Sequence, residues 1–279
     1  MIIVGERINA SRKRIARALE ERDAKWIARE AKRQAAAGAT YIDVNAGTSV
    51  AKEVENISWL AGIVAGAVET PICADSANPA ALVAALKLNK HGQPMINSIT
   101  AEKVRLEGIV PLVREFRTKV VALTMDDSGM PEDVEGRVTV AEKLFAHLTK
   151  AGVPADDVYF DVLIRPISTD VRQAGFCLEA VRQIRAKCPG VHFMCGMSNV
   201  SFGLPRRNLL NKTFLTLLMS AGQDGAILDP TEEGIMAAVY ATQALLGQDE
   251  YCMEYIGAER DGRLGAAEEP AASAPPKKA

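Results

Sequence analysis

Eight times between residues 2 and 229 the chain runs through a short apolar stretch, and eight times that stretch ends on polar side chains. The stretches are 2–9, 41–47, 71–78, 94–99, 119–126, 158–164, 191–194 with its continuation, and 225–229. They are too short for helices and rich in Val, Ile and Ala, as buried strands are. Helical segments follow them: 14–22 and 24–37 after the first, then 49–67, 79–88, 101–116, 131–151, 178–188, a segment opening at Pro205, and 231–246. In 49–67, Val50, Val54, Ile57, Leu60, Ala61 and Val64 fall on one helix face. Strand and helix in strict alternation specify βα units and a parallel sheet.

Strands of a parallel sheet are buried on both faces, so a polar side chain within one is costly unless something satisfies it. Here the polar positions cluster at one end of each strand: Glu6 and Asn9, Asp43 and Asn45, Asp75 and Asn78, Asn97 and Ser98, Asp126, Asp161, Ser198 and Asn199, and Asp229. A chance scatter would not respect that polarity. Eight units can close into a barrel, where all eight C-terminal strand ends meet on the face that carries the chemistry. The expected fold is therefore α/β, a (β/α)8 TIM barrel over 1–258, followed by a disordered Ala- and Pro-rich tail over 259–279. The 279 residues suit one such barrel, which takes about 250.

Composition narrows the function classes. The 33 basic and 35 acidic side chains are scattered, net charge is −2 and aromatics make up 5%, so nucleic acid is not an expected partner. Five cysteines without a CxxC spacing argue against a disulfide framework and a zinc or iron–sulfur site, and they fit a reducing cytoplasm. No apolar run approaches the roughly 20 residues of a membrane span. His91, His147 and His192 fall in helical or loop segments or ahead of the seventh strand, so no His-rich metal set and no Cys–His nucleophile is expected.

The stretch Cys195-Gly-Met-Ser-Asn-Val-Ser-Phe-Gly-Leu-Pro-Arg-Arg207 breaks abruptly from the seventh apolar run into small and polar residues. Gly196 permits close approach, and Ser198, Asn199 and Ser201 can donate and accept without charge. With the carboxylates and carboxamides of the other strands, the mouth suits a planar heterocycle with a donor–acceptor–donor edge, such as the aminopyrimidinone of a pterin. On chemistry alone, Mg²⁺ or sugar hydroxyls would serve equally.

Five motifs occur in order at successive strand ends: Gly-Glu-Arg-Ile-Asn, Asp-Val-Asn-Ala-Gly, Asp-Ser-Ala-Asn, Met-Ile-Asn-Ser and Gly-Met-Ser-Asn-Val-Ser. Together they resemble the pterin-binding family of methyltetrahydrofolate-dependent corrinoid methyltransferases, from Met1 to about Tyr255. The resemblance implies that Asp75, Asn97 and Asp161 hold the pterin ring, that Gly196 and Ser198 belong to the same binding loop, and that Asn199 is catalytic, hydrogen-bonding near the methyl-bearing N5. It also implies a folate-contacting arginine at Arg206 or Arg207, of which Arg207 is the expected one. The substrates implied are tetrahydrofolate and methyltetrahydrofolate, with the corrinoid (cobalamin) supplied by a partner corrinoid protein. No Asp-x-His-x-x-Gly pattern occurs in this chain to hold the corrinoid itself. A homodimer is expected. The implied chemistry is SN2 transfer between N5 and Co(I), in either direction. Phe202 stands where some members carry a polar Gln, so contacts on that side are expected to differ. The competing readings are a dihydropteroate synthase, whose Ser-Arg-Lys signature belongs on strand seven whereas Ser11-Arg-Lys13 here follows the first strand, and a non-catalytic folate-binding module.

Overall fold

The structure, a computed structural model, describes residues 1–47 and 50–265. Its strands are β1 (Ile2–Gly5), β2 (Tyr41–Asn45), β3 (Ile72–Asp75), β4 (Met95–Ile99), β5 (Lys119–Leu123), β6 (Val158–Asp161), β7 (His192–Gly196) and β8 (Gly225–Leu228). Each pairs in parallel with the next, and β8 pairs with β1, closing the expected barrel. Around it run α1 (Lys13–Glu21), α2 (Ala24–Ala36), α3 (Glu53–Ala67), α4 (Pro79–Leu86), α5 (Lys103–Glu115), α6 (Val134–Lys150), α7 (Gln173–Lys187), α8 (Arg207–Ala221), α9 (Ile235–Leu245) and α10 (Met253–Arg260). None of the described helices is long and apolar enough to cross a membrane.

Period-two alternation divides the apolar residues into two bodies. Ile3, Ile42, Val44, Ala74, Ile96, Phe160 and Phe193 point outward and pack under the helices. Their neighbours Val4, Tyr41, Cys73, Met95, Val121, Tyr159 and Met194 point inward and form a separate cluster that fills the lumen. Two residues further along β2, β3, β4 and β6 the inward positions are Asp43, Asp75, Asn97 and Asp161. The polar strand ends thus stand directly on an apolar plug.

Local signals explain most helix starts. Asp23, Asn78 and Asp133 cap α2, α4 and α6 by accepting from Trp26, Ala80 and Gly136 N–H, and Pro79 occupies the first turn of α4. Two helix starts depart from the sequence expectation because of a polar contact. The α7 helix starts at Gln173 rather than 178, because Gln173 is buried and accepts at 2.9 Å from Arg137, itself fully buried. The last expected helix starts at Ile235 rather than 231, since Thr231 turns back to donate to the Asp229 carboxylate at 2.7 Å. His192 opens β7 instead of preceding it, at the end of the barrel away from the polar mouth. There it stacks on Tyr159 and meets Asp224 at 2.7 Å and Asp156 at 3.0 Å. The helix expected from Ser49 is seen from Glu53, after one tight turn at Val50–Lys52; Ser49 lies outside the described residues. In the segment expected to be a tail, Glu259 and Arg260 complete α10, and Arg263 donates to the Tyr240 hydroxyl at 2.6 Å. The remainder, from residue 266, lies outside the described residues.

The seam where β8 meets β1 is tied by Arg7. Its guanidinium bridges Glu30 on α2 and Asp229 after β8, the latter at 2.5 Å.

Candidate active site

The register of the first strands brings the acidic and amide side chains side by side. Asn45 is paired with Asp75, and Asp75 with Asn97. The Asn45 carboxamide donates to Asp75 at 2.9 Å, and the Asn97 carboxamide lies 3.4 Å from Asp43. A register shift skips Ser98 in the β4–β5 ladder, which resumes at Ile99 opposite Ala122, with Ile99 in the outer apolar layer and Asn97 on the lumen side. Asp161 follows Tyr159 onto the same face and leans toward β7. It accepts from the Leu163 N–H at 2.7 Å, and the Gly196 N–H and Cys195 thiol of β7 also favour its ionised form.

Burial controls the protonation of this group. Desolvation raises Asp75 to about 6, with the Asn45 hydrogen bond opposing the rise and the Glu53 charge adding to it. Desolvation likewise raises Asp161 to about 6 against the backbone hydrogen bonds from Leu163 and Gly196. Asp43, fully enclosed and facing the Asp75 charge, is pushed well above the usual carboxylate range. Two carboxyls that titrate near 6 and a third whose burial favours its protonated form offer an edge that can accept and, where protonated, donate, as a planar N–H and carbonyl pattern requires.

The other half of the mouth comes from the chain after β7. A 3-10 turn, Met197–Asn199, presents Ser198 and Asn199 at the rim, Asn199 exposed and Ser198 half-buried. A Cβ added to Gly196 would meet nothing of the protein nearer than the Asn199 amide nitrogen at 3.8 Å, so this glycine keeps lumen space open rather than relieving a clash. Arg207 braces the turn, donating to the Ser198 carbonyl at 2.5 Å and the Ser201 hydroxyl at 3.1 Å, with its guanidinium 5.9 Å over the exposed Phe202 ring. Arg206 is the exposed left-handed residue before α8 (φ 50°). Of the two arginines, the one built into the rim is Arg207.

The structure therefore gathers Asp75, Asn97, Asp161, Gly196, Ser198, Asn199 and Arg207 at one end of one barrel. It adds Asp43 and Asn45, which the sequence placed at strand ends without assigning them to ligand binding; alternation along β2 was the available signal for Asp43. It adds Glu6 as well. This residue follows Val4 on the inward side of β1, accepts from Ser198 at 3.2 Å and Arg12 at 3.1 Å, and borders a depression of about 420 Å³ shared with Arg207, Asp229 and Glu232.

Known proteins agree with this geometry. Residues 5–229 match the family of pterin binding enzymes. The chain is 38% identical to the methylcorrinoid:tetrahydrofolate methyltransferase of Eubacterium limosum, over 95% of this chain and 98% of that one. It is 33% identical to the methionine synthase of Mycobacterium leprae over 82% of this chain, which spans only 20% of that longer protein. Among solved structures, dihydropteroate synthases from Yersinia pestis (TM-score 0.67, 14% identity, 88% and 93% of the two chains) and Xanthomonas albilineans (TM-score 0.65, 17% identity, 89% and 93%) share the fold. A closed eight-stranded barrel, a rim of strand-end carboxylates and amides, and a family match running from the end of β1 to Asp229 agree on one assignment: the chain belongs to the pterin-binding enzyme family.

Proposed function

We propose that this chain is a methyltransferase that moves a methyl group between N5 of methyltetrahydrofolate and the cobalt of a corrinoid carried by a separate protein. The observation that carries the reading is the end-to-end similarity to a methylcorrinoid:tetrahydrofolate methyltransferase, with neither chain leaving a domain unmatched. On this reading Asp75, Asn97 and Asp161 hold the pterin edge, and Gly196, Ser198 and Arg207 shape the rim. The raised carboxyls support it, because each can match a ring N–H when ionised and is held where a change of pH near neutrality alters that match.

Asn199 takes the catalytic role. A tertiary amine leaves poorly, so N5 must gain a proton or a strong hydrogen bond as the C–N bond breaks. A carboxamide can accept from N5–H⁺ and also donate, which serves the transfer in both directions. The corrinoid protein approaches at the mouth as the second substrate, the chain works as a homodimer, and its place is the cytoplasm.

The test is direct. Methyltetrahydrofolate, a chemically reduced Co(I) corrinoid and the protein are mixed, and the cobalt absorbance is followed; formation of methylcobalt supports the reading. Folate binding with no transfer in either direction would leave a binding module. Condensation of a pterin pyrophosphate with p-aminobenzoate would make the chain a dihydropteroate synthase.

A further inference from the structure

The transfer just proposed leaves one chemical need without a named residue. Cleaving C–N5 requires a proton, and a carboxamide has none to give. The inner face of β1 offers a candidate. Glu6 sits at the top of that strand, two residues beyond the plug residue Val4, with its backbone N–H held by Leu228 O at 3.0 Å. One carboxylate oxygen meets two groups: the Ser198 hydroxyl at 3.2 Å and the Arg12 guanidinium at 3.1 Å. Ser198 is the residue next to Asn199 in the same 3-10 turn, so the hydroxyl that meets Glu6 belongs to the turn that carries the proposed catalytic amide.

We propose that Glu6 is the acid that supplies the N5 proton, passing it through the Ser198 hydroxyl. This rests on the methyl-transfer reading. In the folate-to-cobalt direction the Co(I) electron pair forms the Co–C bond, the C–N5 pair returns to nitrogen, Ser198 gives its hydroxyl proton to N5 and recovers one from Glu6. Glu6 is left as a carboxylate beside Arg12. In the reverse direction the carboxylate takes the proton back.

The surroundings suit an acid that changes state. Asp43, Asp229 and Glu232 face Glu6 from β2 and from the loop after β8, Arg12 lies further along the loop that Glu6 opens, and Arg207, the first residue of α8, borders the same depression. Burial and the two carboxylates beyond β8 favour the protonated form, and Arg12 and Ser198 stabilise the ionised one, with a net rise above the ordinary glutamate value. The depression of about 420 Å³ beside Glu6 opens this group to solvent for reprotonation.

The test uses the whole chain with methyltetrahydrofolate and chemically reduced cobalamin, single-turnover, at saturating folate, between about pH 5.5 and 8.5. Glu6→Gln keeps the shape and removes the proton, so methyl transfer should fall by about 10²–10⁴-fold while folate affinity stays within about threefold. The wild-type to Glu6→Gln rate ratio should be largest at low pH and decline as pH rises through the raised Glu6 value. Glu6→Asp should recover part of the rate, and Ser198→Ala should lose rate as Glu6→Gln does. A Glu6→Gln enzyme at the parental rate, a loss explained wholly by weaker folate binding, or a ratio that does not change with pH would overturn the proposal. A wild type inert toward both substrates would instead overturn the reading of the reaction.

Discussion

Asn45 reaches from β2 to the neighbouring strand and donates its carboxamide N–H to Asp75 at 2.9 Å, the shortest amide-to-carboxylate link among the described mouth residues. It holds one carboxylate oxygen from the side and steadies the ionised form of a group that burial otherwise drives toward protonation.

That balance gives Asp75 opposite effects on stability and binding. Its value rises from the ordinary 3.8 to about 6 on folding, so the cost of keeping it ionised is absent below pH 4 and fully present above about pH 6. Asp75→Asn should therefore stabilise the ligand-free protein at pH 7.5 by about 1–3 kcal/mol, at about 1.4 kcal/mol per unit. The same change should weaken methyltetrahydrofolate binding at least about tenfold. Thermal melts and calorimetry on one preparation check both signs.

Asp161 shares the raised value, so folate binding should be linked to protons. If both carboxylates accept ring N–H groups in their ionised form, affinity is full above about pH 6 and falls as pH drops through it. Calorimetry in buffers of different ionisation enthalpy should record proton release near pH 6, and Asp161→Ala should reduce both the release and the affinity. Pterin affinity that is the same at pH 5 and pH 7.5 would remove the carboxylates from the ring contact.

Asn199 separates chemistry from capture. Asn199→Ala should lower single-turnover methyl transfer by about 10²–10³-fold at saturating folate, with a smaller change in affinity, as expected for a group whose hydrogen bond strengthens in the transition state. Transfer at the parental rate once saturated would reduce Asn199 to a binding contact.

Arg7 ties the seam of the barrel, and Glu30 beneath it is buried. Arg7→Ala leaves that carboxylate without its partner, and removing one member of a buried pair typically costs about 3–5 kcal/mol. Urea unfolding should report a loss of that size, and Arg7→Ala combined with Glu30→Gln should regain part of it.

Much of this was legible because the physics repeats. Parallel strands must be apolar on both faces, so each polar strand end announced itself, and the eightfold repeat gave the barrel. What stayed hidden depends on pairing between distant residues. The start of α7 was obscured because Gln173 and Arg137 hydrogen-bond inside the core, and from sequence both look like surface residues. Glu6 was visible as a strand end, but its contact with Ser198 joins residues 192 positions apart and exists only once β8 has closed on β1. His192 was placed outside its strand for a similar reason: its partners Asp224 and Asp156 come from other loops, and without them a charged ring in a parallel strand looks unfavourable.

The lumen plug under the site has a kinetic consequence. Val4, Cys73, Met95, Val121 and Met194 are fully enclosed, so the barrel is sealed below its carboxylates. A proton spent above that seal is not replaced from below, and on the proposed reading the mouth that admits it is also where the corrinoid would approach. A docked partner would therefore narrow the route by which a spent proton is replaced. On that reading turnover would resemble an airlock: charge with a proton while open, react while shut, and reopen to recharge. A proton-deficient chamber would show up as encounters that end without transfer, rather than as slower chemistry within each encounter.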